Sequence, residues 1–242
     1  MELGLIGRSL SHSFSLRYFA SKFQQEGLTN YRYRNFELEN ISTFPQLLKD
    51  YPELRGLNVT VPYKSDIIPY LDEIDLIARE IGAVNTLLIK DGRIMGFNTD
   101  YLGFSRSLIP LLSPQKHRAL LLGTGGAAQA IGYALDFMDI CHKSVSRKPS
   151  AGELSYQEAH ENLSNFNLVV NCTPMGTFPN IEEMPPLKLD NVSENHLFYD
   201  LVYNPEKSRL LMEAEKRGAR VKNGYEMLVL QAEEAWKIWH KV

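Results

Sequence analysis

The chain has 242 residues, 44% hydrophobic and 23% charged, with a net charge of −3. That length allows one large domain or two moderate ones, and a slightly acidic sum without any basic run gives no sign of nucleic-acid binding. No stretch reaches the ~18 apolar residues of a membrane-crossing helix. Cys141 and Cys172 lie far apart and form no CxxC pair, which suits a reducing cytoplasm, and the six histidines lack metal-ligand spacing, so no metal is expected.

Residues 1–7 lack the positive start and long apolar run of a signal peptide and are read as opening the fold with a strand over residues 3–7. Phe14, Tyr18, Phe19 and Phe23 recur at helical spacing, predicting a helix over residues 14–26 that stops at Gly27. Residues 31–38 alternate as a strand, and residues 44–54 read as a short helix. The next strand, Gly56-Leu57-Asn58-Val59-Thr60-Val61-Pro62-Tyr63-Lys64, is unusual. Leu57, Val59 and Val61 are expected to face a core, while Asn58, Thr60 and Lys64 set an amide, a hydroxyl and a cation in a row. Such short polar groups suit the floor of a site for a small polyhydroxylated ligand, although an edge strand with a wet face would carry the same pattern. A helix is predicted over residues 67–81, ending at Gly82, and residues 83–89 and 93–98 flank Asp91-Gly92, a hairpin signal. Asn85-Thr86 and Asn98-Thr99-Asp100 form a second polar cluster on that hairpin.

A second unit follows. A helix over residues 101–112, a strand over 118–122, a helix over 127–137 and strands over 141–146, 167–171 and 196–200 lead to a helix over 206–217 and a strand over 219–221. This alternation predicts an α/β fold with a doubly wound parallel sheet. A last helix, over residues 225–241, carries Leu228, Ala232, Ala235 and Ile238 on one stripe. The domains are placed at residues 1–100 with 224–242, and at 101–223, packed closely across a cleft.

Gly123-Thr124-Gly125-Gly126-Ala127-Ala128 fits G-x-G-x-x-A between a strand and a helix. In that context glycines permit the tight turn and close backbone approach of a pyrophosphate, whose charge the helix N-terminus favours. A tight turn needing glycine for geometry alone is the plainer alternative. An NAD site would place Asp or Glu at the end of the next strand; here Val145-Ser146-Arg147-Lys148 has no acid and two cations. Arg147 can pair bidentately with a 2′-phosphate and Lys148 adds charge, so NADP is the better reading, although two surface cations would look alike.

Taken together, the chain resembles the shikimate dehydrogenase family over essentially its whole length. The resemblance runs through Ser11-His12-Ser13-Phe14-Ser15, Asn58–Lys64, Gly82-Ala83-Val84-Asn85-Thr86 and Asn98-Thr99-Asp100-Tyr101-Leu102-Gly103. It continues through the glycine loop, Asn171-Cys172-Thr173-Pro174, Asp200-Leu201-Val202-Tyr203-Asn204-Pro205 and Gly224-Tyr225-Glu226-Met227-Leu228 with Gln231. The resemblance implies NADP-dependent reduction of 3-dehydroshikimate to shikimate in a cytoplasmic enzyme, with the last helix returning to the N-terminal domain. It assigns Lys64 and Asp100 as the catalytic pair. Ser13 and Ser15, with Tyr203, would take the substrate carboxylate, and Asn58, Thr60, Asn85 and Gln231 the ring hydroxyls. Gly123, Thr124, Gly125, Gly126, Ala127, Ser146, Arg147, Lys148, Thr173, Leu201 and Gly224 would bind NADP. His12 is given a structural role in the serine loop, and a homodimer is left open.

The chain departs from the family in places. Arg8-Ser9-Leu10 and Leu16 replace prolines around the serines, so that loop is expected to be less rigid. Ser146 stands in place of a frequent Asn, Pro149 follows the cations early, and Thr177 replaces a frequent Met. A quinate/shikimate dehydrogenase of broader specificity is the nearest alternative, and a non-catalytic ligand sensor on the same fold is the other.

Overall fold

The structure, a computed structural model, describes residues 1–11 and 13–240. The chain divides into two compact units, Met1–Asp100 together with the chain from Gln231 onward, and Tyr101–Leu230.

The first unit contains β1 (Glu2–Gly7), α1 (Phe14–Gln25), β2 (Arg32–Glu37), α2 (Phe44–Asp50), β3 (Leu54–Val59), β4 (Glu73–Ile74), α3 (Leu76–Ile81), β5 (Thr86–Lys90) and β6 (Arg93–Phe97). Its mixed sheet runs β2-β1-β3-β5-β6-β4. β1 is parallel to β2 and β3, whereas β5 is antiparallel to both β3 and β6. Local chemistry sets the ends: the Ser13 hydroxyl accepts the Leu16 amide at 3.2 Å to start α1, and Gly82 closes α3 at φ 72°. Asp91 and Gly92, at φ 52° and 75°, make the hairpin turn between β5 and β6 that their sequence signals.

Three expectations for this unit need correction. Residues 67–81 are not one helix: Pro69 sits in a short 3₁₀ turn, and Asp72 and Asp75 donate their amides to Ile94 and Gly96 of β6 at 3.0 and 2.9 Å. Only after the Asp75 carboxylate caps Ile77 at 3.1 Å does α3 begin. Helix α2 ends at Asp50, because residue 54 already belongs to β3. Val61 is 67% exposed instead of facing the core, since the strand ends at Val59 and Tyr63 donates its amide back to Thr60 at 2.9 Å, forming a turn.

The second unit contains α4 (Asp100–Leu108), whose first residue belongs to the first unit, β7 (Arg118–Leu122), α5 (Gly126–Phe137), β8 (Cys141–Val145), α6 (Tyr156–Glu161), β9 (Leu168–Asn171), β10 (Leu197–Asp200), α7 (Arg209–Glu215), β11 (Arg220–Asn223) and the first residues of α8 (Tyr225–Trp239). Its sheet, β11-β10-β9-β7-β8, is wholly parallel, with β7 leading into the glycine loop. β7, β9 and β10 are buried along nearly their whole length, as a sheet covered on both faces demands. Leu120, Leu122, Val169 and Phe198 pack toward α6 and α7; Leu121, Val170 and Tyr199 pack with Ile131 and Leu135 of α5 and Phe104 of α4. Helix α6 was not anticipated, although Ser155 and Glu158 form the capping box that announces it. Helix α7 is shorter than predicted because Ser208, not a residue near 206, caps it.

Helix α8 serves both units. Met227 belongs to the second core, while Ala232, Ala235, Ile238 and Trp239 fill the first beside Leu3, Leu5 and Phe19. Gly56 is needed there: a Cβ would overlap the Trp239 indole, whose Nε1 donates to the Leu87 carbonyl at 2.9 Å.

Candidate active site

In the first unit the predicted polar residues form a connected network. The turn after β3 presents Lys64, whose carbonyl is held by the Val84 amide at 2.7 Å. Its ammonium meets the Asp100 carboxylate at 2.6 Å (Nζ to Oδ2), with the two side chains 14% and 7% exposed. The other carboxylate oxygen accepts Asn85 Nδ2 at 2.9 Å. Asn85 is oriented by Thr99, whose amide donates to its Oδ1 at 2.7 Å, so Nδ2 must face Asp100. Asp100 is held in turn by Asn98, which accepts its amide at 3.0 Å. The pair is thus built on two hairpin-borne asparagines and the first turn of α4. Removing either partner would leave a mostly buried charge uncompensated, a cost of about 3–5 kcal/mol.

Asn58, on β3, is almost fully buried. Its Nδ2 reaches the Asn85 carbonyl and Thr86 Oγ1, both at 3.3 Å, and its Oδ1 accepts the Tyr33 hydroxyl at 2.7 Å. Gln231, on α8, lies 3.4 Å from both Asn85 Nδ2 and Thr99 Oγ1 through its Oε1. Ser13 caps α1, and Ser15 lies half-buried in its first turn. The serine loop lacks the family's prolines but is tied to β2 and its neighbours: Glu37 accepts the Leu10 amide at 2.7 Å, and Asn35 donates to the Leu10 carbonyl at 2.9 Å. Thr60 has its amide on Ile6 at 2.9 Å and a half-buried side chain. His12 lies outside the described residues.

In the second unit, β7 runs into Gly123, at φ 111°, whose amide donates to Val145 at 2.9 Å. An added Cβ there would be strained and would lie 3.1 Å from Thr173. Thr124 and Gly125 are exposed, Gly125 caps α5 without any side chain, and Gly126 and Ala127 open the helix. The first turn of a twelve-residue helix, with its amides unshadowed, is the cradle a pyrophosphate needs. At the end of β8, Ser146 accepts the Lys148 amide at 3.2 Å through its hydroxyl, leaving the Arg147 and Lys148 side chains exposed as a 2′-phosphate would require. The residues present therefore fit NADP.

Thr173, Leu201, Tyr203 and Gly224 lie on the segments after β9, β10 and β11. Thr173 is fixed by Asn171, which accepts both its amide (3.0 Å) and its hydroxyl (2.7 Å). Gly224 donates its amide to Val202 at 3.2 Å, and a Cβ on it would stand 2.7 Å from the Leu201 carbonyl carbon. Asp200, fully buried at the end of β10, accepts Asn171 Nδ2 at 2.8 Å, the Val202 amide at 3.0 Å and the Ser208 hydroxyl. Burial lifts its carboxyl to about 6 despite those donors. Thr86 and Thr99 entered the sequence reading only as members of the second polar cluster, and Tyr33, Asn171 and Asp200 received no site role. A polar residue closing an apolar strand could have pointed to the last two, but nothing in an Arg-Tyr-Arg alternation marks the Tyr33 hydroxyl.

Comparison with known proteins identifies the family. Residues 5–87 match the shikimate dehydrogenase substrate binding domain. A shikimate dehydrogenase (NADP(+)) of Clostridium botulinum is 36% identical across 98% of this chain and 95% of its own. The shikimate 5-dehydrogenase of Thermus thermophilus, solved in complex with NADP(H) and shikimate, superposes with a TM-score of 0.88 at 31% identity, covering 100% of this chain and 94% of that one. A quinate dehydrogenase of Corynebacterium glutamicum in complex with NAD gives 0.87 at 26% identity, covering 100% and 94%. With a relative of that identity matched over nearly its full length, the chain belongs to the shikimate dehydrogenase family.

Proposed function

We propose that the protein is an NADP-dependent shikimate dehydrogenase, interconverting 3-dehydroshikimate and shikimate in the cytoplasm on the route to aromatic amino acids. The observation that carries this reading is the Lys64–Asp100 pair, closed at 2.6 Å and fixed by Asn85. NADPH, when bound, supplies the hydride that reaches the ring carbonyl carbon. Charge then develops on the carbonyl oxygen, which Lys64 stabilises through its ammonium and neutralises by giving up a proton. Asp100 aims that ammonium through one carboxylate oxygen and stays aimed through the other. Ser13, Ser15 and Tyr203 bind the carboxylate, and Asn58, Thr60, Asn85 and Gln231 hold ring hydroxyls. The first unit, residues 1–100 with the chain from 231 onward, serves as the substrate domain and the second, residues 101–230, as the cofactor domain, so the boundary expected at 223/224 moves into α8. The glycine loop with Ser146, Arg147, Lys148, Thr173, Leu201 and Gly224 holds the cofactor.

Two free cysteines suit a reducing compartment, and no helix among the described residues is long and apolar enough to cross a membrane. The likeness to a quinate dehydrogenase keeps broader specificity as the second reading. The test is NADP⁺ reduction with shikimate and quinate in parallel and NAD⁺ as the control. Turnover with shikimate and NADP⁺ alone supports the proposal. A kcat/KM for quinate within about ten-fold of that for shikimate selects the broader enzyme, and no turnover at all selects a sensor.

A further inference from the structure

One residue of the ring-binding set, Asn58, is held by a residue that has no assigned part in it. Tyr33, on β2, is 8% exposed, its ring stacked on Phe19 at 4.7 Å between centroids. Its hydroxyl donates to Asn58 Oδ1 at 2.7 Å. A phenol has one proton to give. Asn58 must receive it, because the Asn58 NH₂ is already turned toward the Asn85 carbonyl and Thr86. Burial pushes the phenol upward from its ordinary value of 10.0, so it stays a neutral donor through the working range.

We propose that Tyr33 is a positioning residue for the substrate ring, holding the Asn58 amide so that the second lone pair of its Oδ1 meets a ring hydroxyl. The proposal rests on the shikimate dehydrogenase reading and adds to it a residue that touches neither substrate nor cofactor. Both amide atoms of Asn58 are occupied by protein partners, so the side chain has no freedom to turn its NH₂ toward the ligand. The ring hydroxyl at this position must therefore donate. Thr99 also fixes Asn85, so the Lys64–Asp100 pair keeps that hold when the Tyr33 hydroxyl is removed.

The experiment is Tyr33→Phe, which deletes one oxygen, assayed with shikimate and NADP⁺ beside an unfolding scan. The loss of one hydrogen bond predicts a shikimate KM raised about five-fold, with kcat and the NADP⁺ KM each within about two-fold of wild type. Phe19→Leu disturbs the packing of the same ring while leaving its hydroxyl, and should leave the shikimate KM near the wild-type value. An unchanged shikimate KM in Tyr33→Phe overturns the proposal. So does a Tyr33→Phe protein that fails to fold or shifts both Michaelis constants and kcat together, because the hydroxyl is then a stability element only. An equal rise in Phe19→Leu overturns it too. If wild type itself does not turn over shikimate, the proposed function fails first, a result distinct from any difference between the variants.

Discussion

Asp200 gives the most quantitative prediction. It is fully buried, its three hydrogen-bond donors favour the carboxylate, and burial outweighs them, lifting its carboxyl from 3.8 to about 6. Because the folded value lies above that of the unfolded chain, the stabilisation it gives is complete below about pH 4 and is lost as pH rises through about 6. The difference corresponds to about 3 kcal/mol. Asn in place of Asp200 keeps the carbonyl oxygen that accepts from Asn171 and Val202, lets the Ser208 hydroxyl turn, and cannot ionise. Between about pH 4 and pH 7 the stability of wild type relative to Asp200→Asn should therefore fall by about 3 kcal/mol. A chain of two units need not unfold in one step, so the assay is hydrogen exchange of the β9 and β10 amides at several pH values, with carbon NMR of the Asp200 carboxyl as a direct titration. A carboxyl titrating below about pH 5, or parallel pH profiles for the two proteins, would refute the reasoning that burial dominates here.

Replacing Lys64 with Ala should lower kcat about 10²–10⁴-fold with little change in shikimate KM, since a proton donor is lost while the ring contacts stay; turnover near wild type would remove Lys64 from the chemistry. The double variant Arg147→Ala, Lys148→Ala should raise the NADP⁺ KM at least about ten-fold and leave NAD⁺ use unchanged, because two charge-assisted contacts to a 2′-phosphate disappear. Equal effects on both cofactors would deny these cations a selective part. Gly224→Ala should raise the NADP⁺ KM and lower stability by about 1–3 kcal/mol, because the new methyl meets the Leu201 backbone and only movement of that segment relieves it. An unshifted unfolding midpoint would show that the segment yields freely.

Much of the fold was legible because it rests on local signals. Asp91-Gly92 fixed its hairpin, the glycines after Leu122 placed the strand-to-helix turn, and strand-forming apolar runs marked β7, β9 and β10. Errors arose where tertiary pairing overrode periodicity. Residues 67–81 carry enough apolar residues for a helix, yet Asp72 and Asp75 bond to β6, a choice no local pattern reveals. The Lys64–Asp100 pair was named from residue type and resemblance, but the network that holds it was not. Asn58 looked like a strand residue open to a ligand, whereas its amide is held from both ends by groups remote in sequence. Tyr33 and Asp200 escaped notice for the same reason: their importance lies in which buried partner each meets, and burial of a hydroxyl or carboxylate is a property of the assembled core.

The slot that Gly56 leaves for Trp239 bears on the order in which the chain is made. The first sheet is synthesised early, but Leu3, Leu5, Phe19 and Tyr33 wait for Ala232, Ala235 and Trp239, which leave the ribosome more than a hundred residues later. A growing chain would therefore complete the unit in its middle before the one at its beginning. Until then an apolar face of the first sheet stays uncovered, a natural point for a chaperone to hold the nascent protein.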